Sequence, residues 1–211
     1  MRKMMVMVLG FMALGTIAAE EYKFDFGPVE NKKASEGTTL VGVKDVYSKD
    51  KKFGWEKPIS AMVFTRDLDA VVDEQTRDGI CSVAAKGNKL SPADNDMTFV
   101  ADMPNGYYQM EVALGDSAKG ECRQNICVDV NGLNMIPPPG VGGWGQVVKK
   151  SFPAEVKNGQ LKIRFYCSAQ NELSRLSVLS LSARKLTAEG DIKKAKDALA
   201  KVTVSIKEKA E

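Results

Sequence analysis

The sequence has no histidine among its 211 residues. Histidine is the usual general base of Ser-His-Asp and Cys-His catalytic sites, and it is the commonest protein ligand of metals. Its absence excludes these nucleophilic hydrolase mechanisms. The four cysteines show no C-x-x-C spacing, so a structural zinc site is also disfavoured.

Other catalytic signals are weak. The triplet Gly115-Asp116-Ser117 superficially matches the nucleophile block of GDSL-type esterases, but that block needs a histidine base, so we interpret Asp116-Ser117 as a turn. Paired carboxylates for glycoside hydrolysis stay open as an alternative. The candidates on or near predicted strands are Asp25, Glu56, Asp67, Glu111 and Asp129. Because acidic residues are ordinary on the solvent faces of a sheet, we predict that the chain is not an enzyme.

The chain also lacks an excess of charge and a long hydrophobic run. Its net charge is +3, and removing Arg2 and Lys3 from the 30 basic residues leaves 28 against 27 acidic ones. No basic patch remains that would indicate nucleic-acid binding. The apolar run from Met4 to Ile17 is too short to span a bilayer comfortably.

The amino terminus has the pattern of a signal peptide. Basic residues precede the apolar run, and the small residues Ala18-Ala19 stand before Glu20. We predict a signal peptide over residues 1–19 and a secreted or periplasmic protein with no membrane span after cleavage. A membrane anchor is the alternative.

An even number of cysteines in an exported chain favours two disulfides. Cys122 and Cys127 flank a short loop that a bond between them would close, which would leave Cys81 with Cys167. Sequence alone allows three pairings.

Alternating polarity predicts β-structure through most of the chain. The clearest case is Gly106–Gly115, where Tyr108, Met110, Val112 and Leu114 share one face. Pro104-Asn105-Gly106 before it predicts a hairpin turn. Similar strands spaced along residues 20–186 indicate an all-β jelly-roll β-sandwich.

Three segments depart from this pattern. Residues 48–58 and 133–145 are predicted to be loops, the second because it is rich in proline and glycine. The change of apolar parity between Val178 and Leu179 indicates a bulge or burial on both faces of the last strand. Over residues 187–211, apolar residues at helical spacing with lysines between them predict an amphipathic C-terminal helix.

The order of motifs resembles that of galactose-binding-domain-like β-sandwiches of the malectin and carbohydrate-binding-module type. It is most similar to the module that precedes the catalytic domain in rhamnogalacturonan acetylesterase-like proteins. The motifs are Tyr22–Pro28, Val46-Tyr47-Ser48, Phe53-Gly54-Trp55-Glu56, Arg66-Asp67, Phe99–Asp116, Val128–Gly132, Asn158–Ile163 and Leu176–Leu181. The resemblance covers residues 22–185, and it implies a jelly roll that binds carbohydrate through loops at one edge and often holds a structural calcium.

Sugar sites combine aromatic rings, which stack on apolar sugar faces, with planar polar groups that bond the hydroxyls. Two loops, and the segment between Cys122 and Cys127, supply such groups here. The predicted binding residues are Phe53, Trp55, Arg66, Arg123, Asn125 and Trp144. For calcium, Glu21, Asp25 and Asp129 are the possible ligands.

From these observations we predict an exported, non-catalytic carbohydrate-binding module whose partner is a polysaccharide or glycan. The alternative is an exported structural or interaction protein that uses its C-terminal helix as the contact surface. Under the alternative, deletion of residues 187–211 should abolish partner binding or self-association.

Overall fold

The computed structural model describes residues 20–30, 32, 34, 36–66, 76–84, 91–117, 125–143, 145–168 and 175–208, with side chains to residue 203. Within these residues the chain forms twelve β-strands and one α-helix. The elements are β1 (Glu21–Phe26), β2 (Thr38–Val41), β3 (Phe53–Trp55), β4 (Ala61–Thr65), β5 (Asp78–Ser82), β6 (Asp96–Asp102), β7 (Gly106–Gly115), β8 (Ile126–Val130), β9 (Leu133–Val141), β10 (Val147–Val156), β11 (Gln160–Cys167), β12 (Ser177–Lys185) and α1 (Glu189–Glu208).

The strands form two sheets. The first has the order β10-β7-β12-β1-β2, with β5 also pairing with β12 and β4 with β5, and the second has the order β3-β6-β11-β8-β9. All ladders are antiparallel except the one between β1 and β2. The predicted all-β sandwich with a C-terminal helix is confirmed.

The core lies between the two sheets. On β7 the predicted inward set of Tyr108, Met110, Val112 and Leu114 is buried, as its alternation requires. On β12 the partner of Leu114 is Val178 and the partner of Ala113 is Ser180, so Leu179 is the extra residue of a bulge. Val178 and Leu179 are both fully buried, which confirms the predicted change of parity.

Trp55 lies in the core instead of in a surface loop. Its side chain is 0% exposed, and its indole Nε1 donates a hydrogen bond to the Gly42 carbonyl at 2.9 Å. Its ring centroid is 5.4 Å from that of Phe26 and 5.8 Å from that of Phe99. The predicted loop over residues 48–58 is therefore wrong at β3, and the Trp55 ring has no surface on which a sugar could stack.

Two further local predictions are wrong. Pro104-Asn105-Gly106 does not form a hairpin, because β6 pairs within the second sheet and β7 within the first, so this turn carries the chain between the sheets. The segment after Gly132 is not a loop, since Leu133–Val141 forms β9. Its prolines are accommodated because β9 is the edge strand, where a missing N–H leaves no ladder bond unmade.

The cysteines do not support the suggested pairing. Cys81 packs with Phe64 and Leu179 in a small cluster outside the main core, whereas Cys167 lies in the core between the sheets. This places the two thiols on different sides of the first sheet, and the structure forms no bond between them. Cys127 is a buried free thiol, and its suggested partner Cys122 lies outside the described residues.

Candidate functional site

Helix α1 forms one wall of a groove at the end of the sandwich. The helix packs across the edge strands of both sheets, β9 and β10, and against β7. Among the helix side chains described, which end at residue 203, Ala195 and Leu199 are buried, at 4% and 6% exposure, so this apolar face holds the helix on the sandwich. The acidic residues Glu189 and Asp191 lie in the first turn, where their negative charges interact favourably with the positive end of the helix dipole.

The groove has a volume of about 620 Å³, which is within the range of small-ligand sites. Its floor is apolar because the two edge strands leave the end of the core uncovered there. The apolar lining residues are Val130, Leu133, Met135, Pro153, Ala154, Leu199 and Ala200. Such a floor suits a ligand with a face of C–H groups.

The rim of the groove is polar. The lining residues that carry polar side chains are Tyr107, Asn131, Glu155, Lys157, Asn158, Gln160, Lys162, Lys196 and Thr203. They come from the start of β7, the end of β10, the turns after β8 and β10, the start of β11, and the helix. An aromatic ring beside amides, a carboxylate and ammonium groups is the combination that orients a hydroxylated ligand.

Asn131 fixes the two sheets to each other at this end. Its side-chain amide donates to the Glu155 carbonyl at 2.7 Å, and its side-chain oxygen accepts from the Lys162 backbone N–H at 2.8 Å. Its backbone has φ of 49°, a left-handed conformation that asparagine tolerates better than most residues. The groove is therefore built on a rigid turn.

Tyr107 and Glu155 form the central polar contact. The Tyr107 hydroxyl donates to Glu155 Oε1 at 2.7 Å, and this hydrogen bond, with some burial, raises the pKa of Tyr107. Burial acts to raise the pKa of Glu155, but the hydrogen bonds from Tyr107 and Lys157 and the charges of Lys157 and Lys196 outweigh it, so its pKa lies below the ordinary value. Glu155 is thus a carboxylate at neutral pH.

None of the predicted binding residues that the structure describes lines this groove. Trp144 and Arg123 lie outside the described residues, and Trp55 is in the core. Phe53 is half-buried and packs against the core, with its ring centroid 5.3 Å from the Lys51 ammonium.

Arg66 and Asn125 lie elsewhere and have structural contacts. The Arg66 Nε donates to Asp116 at 2.7 Å, and Asp116 is only 5% exposed, so this arginine balances a buried carboxylate. Asp116, which we interpreted only as part of a turn, therefore forms a structural ion pair with Arg66. The Asn125 carbonyl accepts from the Ser168 backbone N–H at 3.0 Å and closes the far end of β11.

The three acidic residues considered for calcium do not converge. Asp25 is on β1 with Glu21, and it pairs with Lys32 at 2.8 Å, whereas Asp129 is on β8 in the other sheet and pairs with Arg164 at 3.4 Å. Burial raises the pKa of Asp25 and of Asp129. Among the residues described, no group of three His, Cys, Asp or Glu side chains is placed to hold a metal ion. A structural calcium stays a prediction.

The groove residues had weak signals in the sequence. Tyr107 and Glu155 occupy outward positions of their strands, and Asn131 and Asn158 stand before glycine in turns, which is how such residues are ordinarily used. Lys196 belongs to the polar face of the helix. These residues form a site only because the helix packs against the edge strands and brings them together.

A protein-family model matches residues 22–181, and it describes the galactose-binding domain-like region of β-agarase/YXIM esterase-like proteins. In Bacillus subtilis strain 168, the curated relative "Uncharacterized esterase YxiM" is 27% identical over 162 residues, which are 75% of this chain. The chain spans 36% of the length of that relative. The prediction that the chain is not an enzyme is contradicted by this relative, which is named as an esterase.

Solved structures show the same fold at low identity. The crystal structure of YxiM from Bacillus subtilis is 23% identical, with a TM-score of 0.54, and the match covers 80% of this chain and 40% of that one. The ANX2 ectodomain of Arabidopsis thaliana is 11% identical, with a TM-score of 0.54 over 81% of this chain and 52% of that one. A calcium-binding mutant of Bacteroides uniformis β-glucuronidase 2 is 12% identical, with a TM-score of 0.52 over 80% and 18%.

Within the described residues, no helix is long and apolar enough to cross a membrane. The family match extends from β1 into β12, so it includes both sheets of the sandwich but not α1, which comes after it. By this match, the chain belongs to the galactose-binding-domain-like family of β-agarase/YXIM esterase-like proteins.

Proposed function

We propose that this chain binds a polysaccharide or glycan in the groove between α1 and the sandwich. The observation that carries the proposal is the combination of an apolar floor with a rim that presents the Tyr107 ring, the Glu155 carboxylate and the Asn158 amide. Sugars present apolar faces and hydroxyl edges, and these two kinds of surface match the floor and the rim. Membership of a galactose-binding-domain-like family supports the class of ligand.

We also propose that the protein is exported. The support is the signal-peptide pattern of residues 1–19, which lie outside the described residues, and the fold shared with a plant ectodomain. The esterase name of YxiM supports a setting in which carbohydrate binding accompanies ester hydrolysis on the same polymer.

The test is affinity electrophoresis of the mature protein through gels that contain single polysaccharides, with Tyr107→Ala and Tyr47→Ala as matched variants. Both tyrosines are half-buried, and both donate a hydrogen bond to a carboxylate, at 2.7 Å to Glu155 and at 2.9 Å to Asp102. Tyr47 is not part of the groove lining.

We expect at least one polysaccharide to retard the wild type and Tyr47→Ala. Tyr107→Ala should bind it roughly thirtyfold more weakly, because truncation of an aromatic that anchors a ligand costs about 2 kcal/mol. Equal retardation of the two variants would refute the groove as the site. Migration unaffected by every polymer would refute carbohydrate binding itself.

A further inference from the structure

We infer that the groove selects an acidic polysaccharide, and specifically a polyuronate, through Lys196. This inference rests on the proposed carbohydrate binding and names the class of sugar. It follows from the charge of the rim, from the position of the Lys196 ammonium over an aromatic ring, and from the way in which the helix is held.

Positive charge predominates in the groove. Lys157, Lys162 and Lys196 line it, against the single carboxylate of Glu155. Two of these lysines already have partners, since Lys157 pairs with Glu155 at 3.1 Å and Lys162 pairs with a carboxylate outside the groove at 2.6 Å. Among the described residues, no carboxylate lies within ion-pair distance of Lys196, and its charge acts on Glu155 only from further away. Of the three lysines, Lys196 is therefore the one most available to an anionic ligand.

Lys196 occupies the surface that a sugar would use. Its Nζ lies 5.3 Å from the centroid of the Tyr107 ring, which places a cation over an aromatic face. A neutral sugar must displace this ammonium from the ring and offers no charge in return. A uronate offers its carboxylate, and the charge-assisted hydrogen bond it forms is stronger than an exposed cation–π contact. The exchange therefore favours the acidic sugar.

The helix fixes the position from which Lys196 acts. Leu199, three residues further along the helix, is buried against the sandwich, and so is the adjacent Ala195. The ammonium can therefore move between the ring and a bound carboxylate while its backbone stays in place. The Lys196 side chain is already partly ordered by its contact with the Tyr107 ring. It therefore loses less conformational entropy when it binds a carboxylate than a freely moving lysine would.

The experiment compares polygalacturonate with the same polymer after full methyl esterification, which removes the charge and keeps the sugar. Binding of the wild type, Lys196→Gln, Lys196→Arg and Lys193→Gln is measured by affinity electrophoresis at low and high salt. Lys193 is a matched control on the same helix, with its side chain 78% exposed and paired with Asp197.

We expect the wild type and Lys193→Gln to bind the acid form roughly tenfold more tightly than the ester, as a charged hydrogen bond allows. Lys196→Gln should lose most of this preference and Lys196→Arg should retain it. High salt should reduce it, because exposed charges are screened.

Equal binding of the acid and the ester by the wild type would overturn the inference, as would a preference that survives in Lys196→Gln. Failure to bind either form would also overturn it. If a neutral polysaccharide still bound in a Tyr107-dependent manner in that case, the proposed function would stand without the acidic selectivity. If no polymer bound at all, both proposals would fail together.

Discussion

The hydrogen bond from Tyr107 to Glu155 couples the ionisation of two groove residues. The pKa of Tyr107 is raised above its ordinary value of 10.0 mainly by this bond, and that of Glu155 is lowered in the folded protein. For Tyr107, the folded state therefore favours the neutral phenol. Its contribution to stability is complete below pH 10 and is lost as the pH rises through the higher folded-state pKa.

Removal of the negative charge on the acceptor should reverse much of the shift. We expect Glu155→Gln to bring the pKa of Tyr107 down towards its ordinary value, because a neutral amide oxygen is a weaker acceptor than a carboxylate and does not repel the phenolate. The measurement is a pH titration of the ring carbon shifts of labelled tyrosine by NMR. The control is Glu111→Gln. Glu111 is an exposed glutamate on β7, the strand of Tyr107, and its substitution should leave the Tyr107 titration unchanged. An unaltered pKa in Glu155→Gln would show that the contact does not persist in solution.

The role of a single aromatic residue was the hardest feature to predict from the sequence. Trp55 stands among charged residues and glycine, which suggested an exposed loop, but three-residue β3 carries it into the core. Tyr107 lies opposite in parity to the buried face of its strand, yet nothing near it in the sequence indicates that Glu155 and Lys196 approach it. Burial and convergence depend on partners far along the chain, and local polarity does not contain that information.

Strand β9 shows how an element can be made from residues that disfavour it. Gly140 has φ of 82°, and a Cβ on it would lie 2.5 Å from the Asn125 backbone. Gly132, in the turn just before the same strand, has φ of 83°, but nothing lies within 4 Å of its Cβ position. The two glycines share a conformation and differ only in the space around them.

This pair gives a matched test of the close approach between β9 and the start of β8. We expect Gly132→Ala to lower the free energy of unfolding by about 1 kcal/mol, from left-handed strain alone. Gly140→Ala should lower it by about 2–4 kcal/mol, because overpacking against the backbone adds to the same strain. Denaturant unfolding measures both. Equal losses would mean that the Asn125 segment moves away at little cost.

At the level of elements, the sequence was informative where alternation was regular. The faces of β7, the bulge in β12 and the C-terminal helix were all predicted from periodicity, because burial of one face imposes that period. The hairpin expected before β7 was wrong, since a turn sequence specifies a reversal of the chain but not the sheet to which the next strand belongs.

At the scale of the whole molecule, the groove exists because the sandwich leaves one end of its core open between two edge strands and the helix covers part of it. Its residues come from β7 to β11, the turns between them and α1, so their separation in sequence concealed the site. The family match accounts for the sandwich but ends at residue 181, before the helix begins. The Lys196 wall of the groove therefore lies outside the matched family region.

The most direct test of the account is to map a bound oligosaccharide on the mature protein by NMR, with backbone amide shifts followed as the sugar is added. We expect the largest changes at Tyr107, Asn158 and Lys196, with little change at Asn125 or Arg66. Shift changes confined to the loops around Arg123 and Trp144, with none at the groove residues, would contradict the account and would place the binding site in those loops.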